Sequence, residues 1–249
     1  MTLFLIGLGL GSFRDITLRG MEILNKSDII FYENYTSLLG FDITELEKNI
    51  KKKIIPITRE ELEESDILMK DSKKKNISLI VIGDPLSATT HIELIMRAKE
   101  LGVESKVIHN ASIITAISET GLQLYKFGRV ISLPFITDNL PKSVYDNISA
   151  NKKNGLHSLI LLDIKAHESR FMTINQAIEI LLKMEQFFLR KILGNNQKWI
   201  ACARIGMDDQ KIIYDHPKEL LNINFGKQPH CIVIPGNLHF LEQEFLDKL

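Results

Sequence analysis

Only two cysteines occur in the 249 residues, Cys202 and Cys231, and each lies inside an apolar, strand-like run. Their spacing suggests no metal site, so both read as small buried hydrophobes, and a reducing cytoplasm fits them. Charge of one sign is also missing. The 31 basic and 31 acidic residues leave a formal net charge of zero, and no global field favours nucleic acid or an anionic membrane. The basic runs "KKK" at 51–53 and 73–75 sit beside acidic stretches and read as solvated faces. No apolar run approaches the roughly 18 residues of a membrane span. The N-terminal apolar stretch lacks the basic flank and small-residue cleavage site of a signal peptide. Internal repeats, low-complexity tracts, a P-loop, zinc spacing and a serine–histidine–acid arrangement are all absent from the sequence. That argues against phosphoryl transfer and metallohydrolysis.

What is present is ordinary for a globular protein: 45% hydrophobic and 25% charged residues, enough for one large α/β domain or two small ones. Short apolar runs alternate with helical patterns. "LFLIGLG", "DIIFY", "ISLIVIG" and "ESKVIH" read as strands in the first half. Thr44 with Glu47, Thr58 with Glu61 and Thr90 with Glu93 carry capping-box spacing. In "THIELIMRAKELG", Ile92, Ile95, Met96 and Leu101 lie near helical periodicity, and Gly102 stops the helix. This alternation predicts a mostly parallel sheet covered on both faces.

The second half reads differently. "RVISLPF", "GLHSLILLDI", "KWIACARIG", "QKIIYD" and "HCIVIPG" are strands, with one long helix, "NQAIEILLKMEQFFLRKIL", behind a Thr173–Gln176 capping box. Strands in close succession predict a mixed sheet. The chain is therefore read as two α/β domains, 1–111 and 112–249, with a helix starting at Ser112.

The first strand runs into "GLGLGSFRD". A dinucleotide fingerprint needs G-x-G-x-x-G opening a helix, with an acidic residue about 20 positions on. Gly7 and Gly9 fit, but Ser12 takes the third slot; from Gly9 and Gly11 that slot falls on Arg14. Glu33 supplies the acidic residue, yet Phe13, Arg14 and Asp15 intervene before the helix, so the register disfavours a nucleotide oxidoreductase. "VIGDPLSATTH" ends a buried strand in Asp84. Ligands of open parallel sheets bind at such carboxyl ends, where Asp84 can accept from a hydroxyl or ammonium group; Asp-Pro is also a plain turn former. "HNASI" brings Ser112 and Ile113 to a helix start with free N–H groups. "ARIGMDDQK" follows a strand, and His230 opens one after Pro229. Taken singly, His91, Asp163, Ser112 and His230 read as structural.

Together, "GLGLGSFRDITLRG", "YENYTS", "GDPLSATTH", "HNASI", "GLQLYKFG", "GLHSLILLDIK", "MTINQA", "ARIG", "DDQK" and "PH…PGNLHFLE" resemble the diphthine synthases. These are the diphthamide-pathway branch of the tetrapyrrole-methylase-like S-adenosylmethionine-dependent methyltransferases. The resemblance spans nearly the whole chain in the family's order. It implies a class III methyltransferase architecture: two consecutive αβα domains with the cofactor cleft between them, where S-adenosylmethionine binds and S-adenosylhomocysteine is left. The implied cofactor residues are Leu10, Asp84, Ser87, Ser112, Ile113, Leu162, Ile205 and His230. Related sequences often carry an apolar residue where Ser87 stands. No metal is implied.

The resemblance further implies that the substrate is one histidine of translation elongation factor 2, already bearing a 3-amino-3-carboxypropyl group. Its amino group is methylated to a trimethylammonium, and eukaryotic members also methylate the carboxylate. "HNASI", "GLQLYKFG", "FMTINQA" and "DDQK" look closer to eukaryotic relatives, which implies four methylations and the methyl ester. "IKAHESRFMT" departs from them by being shorter than the corresponding eukaryotic connection. A homodimer is implied too. The donor is already activated, so alignment and a dry cleft are the main demands; an amine must lose a proton before attack, whereas a carboxylate need not. Glu33, Tyr35 and Asp15 are candidate bases that the sequence does not rank. Alternative readings are a uroporphyrinogen- or precorrin-type tetrapyrrole methyltransferase and a non-catalytic module docking on the elongation factor.

Overall fold

The structure, a computed structural model, describes residues 1–35, 37–64, 67–72, 74–136, 139–194 and 196–249. Thr36 of "YENYTS" and Lys73 of the second lysine run lie outside the described residues. The chain forms two compact units, Met1–Ala116 with Gly206–Asp208, and Ile117–Ile205 with Asp209–Leu249. The sequence reading sets its boundary between residues 111 and 112; the first unit keeps the chain through Ala116.

In the first unit the elements run β1 (Thr2–Gly7), α1 (Leu18–Lys26), β2 (Ile29–Glu33), α2 (Ile43–Ile50), β3 (Ile55–Ile57), α3 (Arg59–Glu64), α4 (Ile67–Ser72), β4 (Ile77–Val81), α5 (Ile92–Glu100), β5 (Glu104–Ile108) and α6 (Ile113–Ala116). The sheet has the order β3-β2-β4-β1-β5, and every pairing is parallel. Alternate side chains of one strand point to opposite faces. Accordingly Leu3 and Leu5 join a core with Leu62, Leu68, Leu94 and Ala98, while Ile6 and Leu8 join another with Leu24, Leu46 and Ile50. Both faces are covered, as the unbroken apolar runs require.

Four local features differ from the sequence expectation. β3 went unread: it is three residues long, and Pro56 lacks the N–H of a central strand, which suits its place at the sheet edge. Asp42, not Thr44, caps α2 by accepting the Thr44 N–H at 2.9 Å. α5 buries Leu94 and Ala98, and Ile92 and Met96 are more than half exposed. The Thr90–Glu93 box does not form, because the chain before α5 closes on itself through Thr89 Oγ1 and Pro85 O instead. The Thr58–Glu61 box does form.

The second unit holds β6 (Ile131–Leu133), α7 (Lys142–Lys153), β7 (Ser158–Leu162), the hairpin β8 (Ile164–Lys165) and β9 (Arg170–Phe171), α8 (Ile174–Phe188), β10 (Trp199–Ala203), β11 (Lys211–Asp215), α9 (Pro217–Leu220), β12 (His230–Ile234) and α10 (Phe240–Leu246). Its main sheet is mixed, β11-β10-β12-β7-β6, with β6 and β7 parallel and the other neighbours antiparallel. α8 opens on the Thr173–Gln176 capping box and buries Ile174, Ala177, Ile178, Leu181 and Met184, the spacing of one helix face. It ends at Phe188, five residues short of the sequence expectation. The Glu185 carboxylate collects the N–H groups of Lys191, Ile192 and Leu193 and folds the chain back.

Candidate functional site

The glycines after β1 serve close backbone packing. Gly9 and Gly83 form an isolated bridge, exchanging N–H to O bonds at 3.2 and 2.9 Å. Both have positive φ, +78° and +72°, where a Cβ is disfavoured. At Gly7 a Cβ would meet Gly83 O at 2.5 Å. The N–H groups of Gly11 and Ser12 are not held out for a phosphate. Both donate to Asp15 Oδ2, at 2.7 and 2.9 Å, and a 3₁₀ turn at Phe13–Asp15 separates the glycines from α1. Leu10 is half-buried beside Gly206, where a Cβ would come within 2.9 Å of the Leu10 Cβ.

The carboxyl ends of β4, β1 and β5 lie side by side, and their loops carry Asp84, Leu10 and "HNASI". Asp84 is 6% exposed and accepts four hydrogen bonds. Oδ1 takes the Leu86 N–H (2.9 Å) and the Ser87 hydroxyl (3.2 Å); Oδ2 takes the Asn110 N–H (3.1 Å) and meets the His109 Nδ1 at 2.7 Å. Burial pushes this carboxyl up, but the donors from Leu86, His109 and Asn110 outweigh it and hold the group below the usual carboxylate range. Asn110 fastens the same loops by donating to Gly7 O and Asp15 O, each at 2.9 Å. Buried Ser112 begins the turn of α6, and its carbonyl accepts from Thr115 and Ala116. Ile113, half-buried, opens that helix.

In the second unit, register brings three expected residues to one end of the sheet. Ala203 of β10 pairs with His230, and Cys231 pairs with Leu161. Leu162 follows Leu161, and Ile205 lies two residues beyond Ala203. Leu162, Ile205 and His230 are all buried. His230 Nδ1 accepts the Ile174 N–H at 3.4 Å, and its Nε2 has no hydrogen-bond partner among the described residues. Burial lowers its pKa to about 4, so the ring is neutral near pH 7. Arg204 locks the adjoining turn by donating to Asp209 and to the carbonyls of Phe225 and Lys227.

Leu10, Asp84, Ser87, Ser112 and Ile113 are thus gathered in the first unit, and Leu162, Ile205 and His230 in the second. Asp163 is structural, receiving the Phe135 N–H at 3.0 Å, and His91 is buried against Pro85 O at 3.1 Å. A hollow of about 120 Å³ beside Tyr35 and His91 touches none of the eight expected cofactor residues. The eight expected residues omit His109, which opens "HNASI" and meets Asp84. The signal was available, since His109 directly follows β5 and Asp84 lies three residues beyond β4.

Residues 2–220 match the family model for Tetrapyrrole (Corrin/Porphyrin) Methylases. The diphthine methyl ester synthase of Dictyostelium discoideum is 44% identical over 99% of this chain and 97% of its own length. The diphthine synthase of Methanococcus aeolicus is 42% identical over 99% and 97%, and the human diphthine methyl ester synthase 38% over 98% and 93%. The crystal structure of a putative diphthine synthase from Entamoeba histolytica superposes with a TM-score of 0.92, at 40% identity, covering 99% of this chain and 97% of the other. With its parallel first sheet, its mixed second sheet and this match over most of its length, the chain belongs to the tetrapyrrole (corrin/porphyrin) methylase family.

Proposed function

We propose that the chain is the methyltransferase of diphthamide biosynthesis that makes diphthine methyl ester. Its substrate is the aminocarboxypropyl-modified histidine of translation elongation factor 2, methylated three times on nitrogen and once on the carboxylate. The observation that carries this reading is 44% identity, over 99% of the chain, to a relative named diphthine methyl ester synthase.

S-adenosylmethionine is the proposed cofactor, and when bound it supplies an electrophilic methyl group on a sulfonium. The residues fit a nucleoside-bearing ligand: Leu162 and Ile205 offer buried apolar surface, and the buried His230 Nε2 has no partner of its own. From the first unit, Leu10, Asp84, Ser87, Ser112 and Ile113 are proposed to contribute. Asp84 does so chiefly by holding the "GDPLS" and "HNASI" loops in place, because both its oxygens are already engaged. The proposed working form is a homodimer in the cytoplasm. No helix of the described residues is long and apolar enough to cross a membrane.

Incubation with S-adenosylmethionine and elongation factor 2 carrying the aminocarboxypropyl histidine, followed by mass spectrometry, tests the reading. Four added methyl groups are expected, and three would leave the enzyme a diphthine synthase without the ester step. No added methyl group would sink the proposal. The family description favours one second reading, a tetrapyrrole methylase; methylation of a uroporphyrinogen- or precorrin-type acceptor, without any elongation factor, would put it first.

A further inference from the structure

We propose that His109 is the base that takes the proton from the substrate's amino group before each methyl transfer to nitrogen, with Asp84 as its positioning residue. The proposal rests on the function proposed above. An ammonium has no lone pair, so three successive N-methylations each need a proton removed, and an imidazole is suited to accept it near neutral pH.

The geometry singles His109 out. It directly follows β5 at the carboxyl end of the parallel sheet, where ligands of such sheets bind. Its Nδ1 lies 2.7 Å from Asp84 Oδ2, and that carboxylate is fixed by three further donors. A charged acceptor at Nδ1 keeps the ring proton there and leaves Nε2 as the basic nitrogen. That Nε2 has no partner among the described residues, and the side chain is 67% exposed.

Among the described residues, His157 and His239 are spent differently, and the unpartnered Nε2 atoms of His91 and His230 are buried. His157 is fully buried, with Nδ1 accepting the Gly236 N–H and Nε2 on Glu242. His239 uses Nδ1 to accept the Leu241 N–H. The bases suggested by sequence are also engaged. Asp15 closes the glycine turn through Oδ2, and Glu33 is fully buried. Burial, followed by the Glu33 charge, raises the Tyr35 phenol and keeps it protonated.

The step balances as follows. The substrate ammonium N–H breaks, its proton moves to His109 Nε2, and the amine keeps the electron pair. That pair forms the new N–C bond as the sulfonium S–C bond breaks, whose electrons remain on sulfur. The imidazolium returns its proton to water before the next round. After the third transfer no N–H remains, and methylation of the carboxylate needs no base.

The test is the single-turnover rate of N-methylation on modified elongation factor 2, for wild type, His109→Gln and His109→Ala, with calorimetric affinity for S-adenosylmethionine measured in parallel. The expected result is a loss of about 100-fold in both variants, cofactor affinity within about threefold of wild type, and recovery of at least about tenfold in His109→Ala on adding imidazole. A rate within about threefold of wild type, or a loss that imidazole does not restore, overturns the base assignment. Wild-type protein that adds no methyl group overturns the functional reading instead, so the two failures are distinguishable.

Discussion

Asp84 and Glu242 are two buried carboxylates that answer to different distances along the chain. Asp84 gathers Leu86 and Ser87 from its own turn and His109 and Asn110 from the next strand end. Sequence alone suggests that Asp84→Ala weakens cofactor binding with little loss of folding. The four donors change that expectation, because truncation leaves buried N–H groups without an acceptor, at about 2 kcal/mol or more. A urea midpoint equal to wild type would show that water replaces the carboxylate. Glu242 is fully buried and takes N–H groups from Gln123 and His239, the Lys126 ammonium, and the His157 ring. Glu242→Ala strands the ammonium and the imidazole, and a loss of about 3 kcal/mol is expected in chemical denaturation. Asp84 is legible in the sequence as an acid at a strand end. Glu242 is not, because Gln123, Lys126 and His157 lie 85 to 119 residues away.

At the scale of elements, the glycine loops give a graded prediction. Gly83→Ala meets nothing nearer than 3.6 Å, so its cost is the positive φ alone, about 1 kcal/mol. Gly7→Ala drives a methyl group into a carbonyl at 2.5 Å and must push the β1 and β4 loops apart. Thermal melts should therefore fall further for Gly7→Ala, and the reverse order would contradict the packing account of this turn. Thr173→Ala removes the α8 cap and should cost about 1 kcal/mol. The α8 cap was readable because its partners lie three residues apart. The end of α8 was not, since helical propensity continues through "FFLRKIL", and the contacts of Glu185 and of the Tyr145 hydroxyl with residues 190–193 stop it. For the same reason the exposed Ile92 and Met96 misled: periodicity marks an apolar stripe, but the core built on β1 and β4 selects Leu94 and Ala98.

For the whole molecule, acid lability follows from groups held in their neutral or ionised form by burial and partners. His230 is lowered from 6.5 to about 4, chiefly by burial. Between those values the unfolded chain binds a proton that the folded one refuses, so stability falls as pH drops from about 6.5 to about 4. His157 is lowered too, burial outweighing its bond to Glu242, and acts in the same direction. Burial raises Glu242, but its donors bring it to about 2, below the ordinary 4.5. Its contribution is complete above about 4.5 and disappears as pH falls through about 2. Urea midpoints should drop steadily from about pH 7 to about pH 3, and a flat profile would contradict the neutral state of His230.

Two alternating α/β units, a parallel first sheet, a mixed second sheet and the strand-end position of Asp84 were all determined by the sequence alone. Apolar periodicity and turn residues act over a few neighbouring positions, and strands that alternate with helices have few ways to bury both faces. Tertiary structure alone decided that Gly9 bridges Gly83, that Asp15 fills the turn a phosphate would need, and that Asp84 holds the Nδ1 of His109. Those outcomes depend on which loops the strand order brings side by side, and strand order is a long-range property that no local pattern encodes.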